Sequence, residues 1–248
     1  MLTKKIGETP LEALTDWKAR HPRYKDVPAS YAGRLDPMAS GKLLVLLGEE
    51  CKRQTEYTKL DKTYEIEVLL DIGSDTGDIL GIVEASKCET TITKIAAKAV
   101  LQTEVGTHTI PYPIYSSKTV NGKPLFLYAL EGTLDTIELP THEETIHRIV
   151  LKGLRTVSNT TLKERIETLL ALAPVSTEPS KALGADFRIV DVRRSWAKVF
   201  EAERQYEILK LKVECGSGTY MRSLAGRIGK RLGTRALALS IRRTKIKR

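Results

Sequence analysis

Apolar positions in this 248-residue chain fall into a few patterned stretches. Leu43-Leu44-Val45-Leu46-Leu47, closed by Gly48, is an almost unbroken apolar run, which fits a strand buried on both faces or a short buried helix. Tyr64, Ile66, Val68, Leu70 and Ile72 alternate with mostly polar residues, the period of a strand with one buried face. Leu209, Leu211 and Val213 repeat that period within Tyr206 to Cys215. Elsewhere the spacing is helical. Leu11, Leu14 and Trp17 form a stripe behind Thr9 as N-cap and Pro10 as first helical residue. Further helices are expected over roughly Thr91 to Leu101, over Thr161 to Ala173 (Leu162, Ile166, Leu169, Leu170), and around Leu224, Ile228 and Leu232 with a stop at Gly233. Between Ile110 and Gly132, Pro111, Pro113, Gly122 and Pro124 rule out a long regular element. Pro174 to Gly184 reads as a linker or loop.

The segment ahead of the apolar run changes the picture from fold to chemistry. In Tyr31-Ala32-Gly33-Arg34-Leu35-Asp36-Pro37-Met38-Ala39-Ser40-Gly41, a carboxylate stands at the entrance to the core, where it is costly unless something pairs with it. Pro37 stiffens the backbone after Asp36, and Gly33 and Gly41 permit close approach of another chain or a ligand. Taken alone, such an Asp-Pro turn is more often one whose aspartate bonds its own backbone.

Charge and cysteine usage narrow the class. Lys plus Arg number 40 against 31 Asp plus Glu, a net charge of +9 that suits a polyanionic partner. Three cysteines (Cys51, Cys88, Cys215) show no metal-ligand spacing, so neither a disulfide scaffold nor a zinc site is expected, and a reducing compartment fits. With no membrane-length apolar stretch and no signal-peptide core, the expected setting is cytoplasmic.

The string from Gly33 through Leu47-Gly48-Glu49 resembles the catalytic motif of the TruB family of tRNA pseudouridine synthases: Gly-Thr-Leu-Asp-Pro, two small residues, Gly, an apolar run and Leu-Gly-Glu. Lys4, Gly7 and Thr9 match that family's opening Lys-Pro-x-Gly-x-Thr-Ser. Lys62-x-Tyr64, then Gly73, Asp75-Thr76, Asp78 and Gly81, resemble its second block. Tyr115-Ser116, Gly122, Leu125, Ala129 and Gly132 are similar to its RNA-gripping thumb, with Lys118 one position out of register and Leu130 where the family has arginine. Cys215-x-x-Gly218-Thr219-Tyr220-Met221-Arg222 resembles Cys-x-x-Gly-Thr-Tyr-Ile-Arg, and Ile241-Arg242-Arg243-Thr244 its Leu-Arg-Arg-Thr ending. Two departures stand close to the aspartate. Tyr31 occupies the place of a family histidine, and Arg34 that of a threonine.

This resemblance implies an α+β pseudouridine synthase fold: a mixed, largely antiparallel sheet flanked by helices and loops, with a thumb-like insertion at about 106–132. One catalytic domain is expected over 1–248, with a surface insertion at about 155–196, where the resemblance runs out; the C-terminal PUA domain usual in the family is not expected. The reaction implied is isomerisation of a uridine in the T-loop of tRNA, flipped out of its stack, with Asp36 as nucleophile and no metal or organic cofactor. Arg222 is expected to pair with Asp36 through a bidentate, charge-assisted contact, and Tyr64 and Ile241 to wall the base. Asp78 is expected to orient a base edge or a tyrosine hydroxyl, and Tyr31 to enter the RNA loop in place of the histidine. Lys4, Arg34, Tyr115, Lys118, Tyr220 and Arg243 complete the expected RNA-binding set. RNA, most readily the tRNA T-arm, is the expected partner of a monomer. A synthase acting on ribosomal or guide-selected RNA, or a non-catalytic RNA-binding module, would share these motifs.

Overall fold

Residues 1–87, 91–174 and 187–247 are described in a computed structural model of the chain. In chain order, β1 (Leu2–Lys4) precedes α1 (Pro10–Ala19), β2 (Ala29–Ala32) and β3 (Ala39–Leu47). α2 (Gln54–Thr58) leads to β4 (Lys62–Leu70), and a small hairpin of β5 (Ile72–Ser74) and β6 (Val83–Ala85) follows. Then come α3 (Lys94–Thr103), β7 (Gly106–Pro111), the short β8 (Thr119–Val120) and β9 (Lys123–Pro124), and α4 (Leu125–Glu131). The long β10 (Thr141–Ser158) precedes α5 (Asn159–Leu170) and α6 (Ile189–Val199). β11 (Gln205–Cys215), α7 (Met221–Arg231) and β12 (Ala236–Ile246) complete the order.

Eight of these strands build one sheet in the order β1-β3-β12-β4-β11-β10-β7, with β2 on β3, while β5–β6 and β8–β9 form separate pairs. The β12–β3 pair is parallel and the others are antiparallel, so the architecture is the mixed, largely antiparallel α+β one. Strand periodicity sorts side chains into two cores. Tyr64, Ile66, Val68 and Leu70 of β4, with Leu209, Leu211 and Val213 of β11, face α3 and α7. The intervening Leu69, Tyr206 and Ile208 face α5 and α6. Both faces of the central strands are therefore covered, rather than the single face that alternation suggested.

Three further expectations are corrected. The strand of β4 does not run on to Ile72, because Asp71 adopts a left-handed backbone (φ 66°) and turns the chain into β5. Leu11 is solvent-exposed, while Ala13 and Leu14 carry the buried side of α1. The 155–196 stretch is not a surface appendage. Its first residues complete β10, and Leu162, Ile166, Leu170, Val192 and Trp196 are buried in the second core. That core also needs Leu69, Ile208 and Leu237 from the sheet, so the described parts of the stretch help cover one face of the sheet. The expected 174–184 linker lies largely outside the described residues. The expected capping does form: Thr9 Oγ1 accepts from the Glu12 amide and the Glu12 carboxylate accepts from the Thr9 amide.

Ile241 owes its orientation to a bulge. Ala236 and Ala238 face the first core and Leu237 and Leu239 the second, so simple alternation would send Ile241 to the second. A register shift between Ala238 and Ser240 flips the order and delivers Ile241 to the first core, beside Tyr64 and Leu35.

Candidate active site

Asp36 lies on the turn between β2 and β3, and the chain on either side of it is anchored in both cores. Leu35 is buried in the first and Met38 in the second. Beneath the turn, the fully buried Lys4 donates to the carbonyls of Lys5 (2.8 Å), Pro37 (3.0 Å) and Ala39 (2.7 Å). Burial pulls its pKa down to about 8. Arg243, equally buried, donates from Nε to the Lys42 carbonyl (2.7 Å) and from Nη2 to that of Gly33 (2.9 Å). Lys4 and Arg243 are thus internal braces of the aspartate turn, which corrects the expectation that they touch RNA. Gly41 makes the close approach possible: with φ at +109°, its Cβ position lies 2.2 Å from the Arg243 carbonyl oxygen.

α7 supplies the opposing cation. Arg222 Nε donates to Asp36 Oδ2 at 2.7 Å, Nη1 to the Thr76 carbonyl at 2.6 Å, and Nη2 to the Tyr115 carbonyl at 3.1 Å. The expected fork onto both carboxylate oxygens is replaced by a single contact, because the chain takes the guanidinium's other donors. The buried partner is the arginine, 5% exposed, whereas the Asp36 side chain is 42% exposed. Burial alone would lower the Arg222 pKa, but Asp36 and Asp78 outweigh it and hold the guanidinium above its ordinary value. A buried, fixed cation therefore presents a half-exposed carboxylate, whose other edge is open to a reactant.

Asp78 supports the loop that faces Arg222. Its Oδ1 accepts from Thr76 Oγ1 (2.7 Å) and from the Leu80 amide (3.0 Å), and its Oδ2 lies 3.7 Å from Arg222 Nε. Burial raises its pKa, against the pull of Arg222. The loop it stabilises is tied to β12 by the Ala238 amide, which donates to the Gly77 carbonyl at 2.9 Å. Tyr64 and Ile241 are 8% exposed and share a cluster with Leu35, which places an apolar wall beside the carboxylate. Burial also raises the Tyr64 and Tyr220 pKa values, so both phenols stay protonated at neutral pH.

Tyr220 precedes the first residue of α7 and meets an aromatic group: the Tyr112 and His142 rings stack at 4.1 Å, with Tyr220 edge-on to His142 at 5.7 Å. Lys118 Nζ lies 5.0 Å from the Tyr112 ring centroid. Arg34 is exposed. Tyr31, on β2 ahead of the aspartate turn, is half-buried and packs against the cluster of Leu2, Ala13, Leu14, Leu43 and Val45. His142, Asp75 and Arg188 also bear on the site, and sequence reasoning assigned none of them a role. His142 lies in a long strand that carries no motif, and Arg188 lies within the 155–196 stretch, which carries no family motif either. Among the described residues no group of three or more His, Cys, Asp or Glu is placed to hold a metal ion, and no helix is long and apolar enough to cross a membrane.

Residues 23–167, more than half of the chain, match the model of the TruB family pseudouridylate synthase N-terminal domain. The chain is 30% identical over 215 residues to tRNA pseudouridine synthase B of Caldicellulosiruptor saccharolyticus, covering 87% of this chain and 56% of the relative. It is 30% identical over 245 residues to the protein of that name from Methylobacillus flagellatus, covering 98% and 62%. The chain thus spans somewhat over half the length of these curated relatives. Among solved structures, a chain in the crystal structure of a Cbf5-Nop10-Gar1 complex superposes with a TM-score of 0.54 at 17% identity, covering 99% of this chain and 47% of that one; this similarity concerns the fold.

Proposed function

The chain belongs to the TruB family of pseudouridylate synthases, and from that premise we propose that it isomerises a uridine of tRNA, in the T-loop, to pseudouridine. The reaction breaks the bond between C1′ of the ribose and N1 of uracil, turns the base, and forms a bond from C1′ to C5. The C5 proton is lost and N1 regains one, so no oxidant or reductant is needed. Asp36 is the nucleophile in this reading, and Arg222 keeps it ionised and aimed. The apolar wall of Leu35, Tyr64 and Ile241 suits an uncharged base extruded from its stack, which such chemistry requires. Exposed Arg34 and the thumb residues Tyr112, Tyr115 and Lys118 suit the flanking strand. The tRNA T-arm is the partner proposed for this face, the chain acting as a monomeric catalytic unit in the cytoplasm.

The observation that carries the reading is the half-exposed Asp36 carboxylate held at 2.7 Å by a buried arginine from the other end of the chain. Incubating the protein with an unmodified tRNA transcript and mapping pseudouridine by position tests it. Conversion at one T-loop uridine is expected. No conversion in any RNA tested would remove the proposed activity.

A further inference from the structure

Two loops converge on Arg222, and one cavity of about 820 Å³ is lined by both. Asp75, Thr76 and Gly77 contribute from one side, Pro113 and Ile114 from the other. Both loops must stay in register, because Arg222 donates to the Thr76 carbonyl in one and to the Tyr115 carbonyl in the other. A second arginine joins the same two loops from outside. Arg188 donates from Nη1 to Asp75 Oδ2 at 2.6 Å and from Nη2 to Asp75 Oδ1 at 3.2 Å, while its guanidinium lies 4.5 Å from the centroid of the Tyr115 ring. This is a two-point contact to a carboxylate combined with cation–π stacking, a pairing that suits arginine's planar fork and that lysine cannot reproduce.

We propose that Arg188 is a positioning residue for the Asp36–Arg222 pair, locking the Asp75–Gly77 loop to the thumb residue Tyr115 so that Arg222 finds both of its carbonyl acceptors in place. The inference rests on the functional reading above for its kinetic consequence, though not for its structural one. Arg188, the residue before α6, lies outside the 23–167 match to the family model. Asp75 is itself fixed, since its Oδ1 also accepts from the Ile82 amide at 2.9 Å. Gly81 makes that tight loop possible, because its Cβ position lies 2.6 Å from Asp75 Oδ1. Arg188 therefore pulls Tyr115 toward an anchored carboxylate rather than toward a free one.

The test uses the full chain with Arg188→Met, Arg188→Lys, Asp75→Asn and the Arg188→Met/Asp75→Asn double variant. With saturating tRNA transcript, single-turnover pseudouridine formation in Arg188→Met is expected to fall about tenfold or more, with RNA affinity and its salt dependence within about twofold of wild type. Arg188→Lys should recover only part of that rate, and the double variant should lose no more than the worse single one. A full single-turnover rate in Arg188→Met would overturn the proposal, and so would a loss confined to affinity with a shallower salt slope, which would make Arg188 an RNA phosphate contact. Hydrogen exchange of the free protein gives an activity-independent readout. Faster exchange in both the 74–77 and 114–118 segments of Arg188→Met is expected, and unchanged protection in either one overturns the proposal. If the wild-type protein makes no pseudouridine, the functional reading fails while the exchange result still decides the role of Arg188.

Discussion

Arg222 Nε and Asp36 Oδ2 stand 2.7 Å apart across 186 residues of chain, and the arginine is the buried member of the pair. This asymmetry decides what a substitution does. Without Arg222, the half-exposed Asp36 can rehydrate, whereas the Thr76 and Tyr115 carbonyls and the buried Asp78 lose their donor or cation. Arg222→Ala is therefore expected to cost about 3 kcal/mol of stability and most of the turnover. Urea unfolding alongside pseudouridine mapping checks both. A stable Arg222→Ala protein with normal turnover would show the pair to be incidental.

Arg243 and Arg34 bear the same charge and should behave in opposite ways. Arg243→Met removes an internal brace, so stability should fall by roughly 3 kcal/mol while the salt dependence of RNA binding holds. Arg34→Ala leaves the fold intact and should reduce the salt slope by about one. Affinity measured between low and physiological salt separates the two. A shallower slope in Arg243→Met would mean that its guanidinium reaches phosphate.

That contrast shows what the sequence could and could not disclose. Local signals were legible: the Thr9–Pro10 cap needs only neighbouring residues, and the alternation of Tyr64 to Leu70 is fixed by the pleat itself. The pairing of Asp36 with Arg222 was legible through motif resemblance. Burial of charge was not, because Lys4 and Arg243 look like any other basic residues in a basic chain until the fold surrounds them. Nor was the bulge that re-aims Ile241, which depends on the register between β12 and β4. The bridge from Arg188 to Asp75 spans 113 residues and follows no local period.

Gly41 should tolerate no side chain. Its φ of +109° disfavours L residues, and a methyl group would meet the Arg243 backbone oxygen, which the parallel β12–β3 pairing holds in place. Gly41→Ala is expected to lower stability by roughly 2–4 kcal/mol. Thermal or urea melting checks this, and a loss below a few tenths would mean the strands can separate at little cost.

Lys4 gives the pH dependence a definite sign. Its folded pKa of about 8 lies below the ordinary lysine value of 10.5, so between these pH values the unfolded chain binds more protons than the folded one. Stability from this group rises with pH across that window. Lys62, also buried and also near 8, acts in the same direction. Cys215, whose thiol burial pushes up to about 12, opposes them above its ordinary value of 9.0. Wild-type stability relative to Lys4→Met should therefore increase from pH 7 to pH 9. A difference that stays flat or shrinks would show that Lys4 keeps its ordinary pKa.

The nucleophile assignment is tested most directly by Asp36→Asn, which keeps the shape of the side chain and removes its charge. The measurement is position-specific pseudouridine mapping after prolonged incubation with tRNA transcript, with RNA binding followed in the same samples. The expected result is binding within a few-fold of wild type and no pseudouridine at the site that wild type converts. Pseudouridine formation by Asp36→Asn at a near-normal rate would contradict the role of Asp36 and, with it, the proposed mechanism.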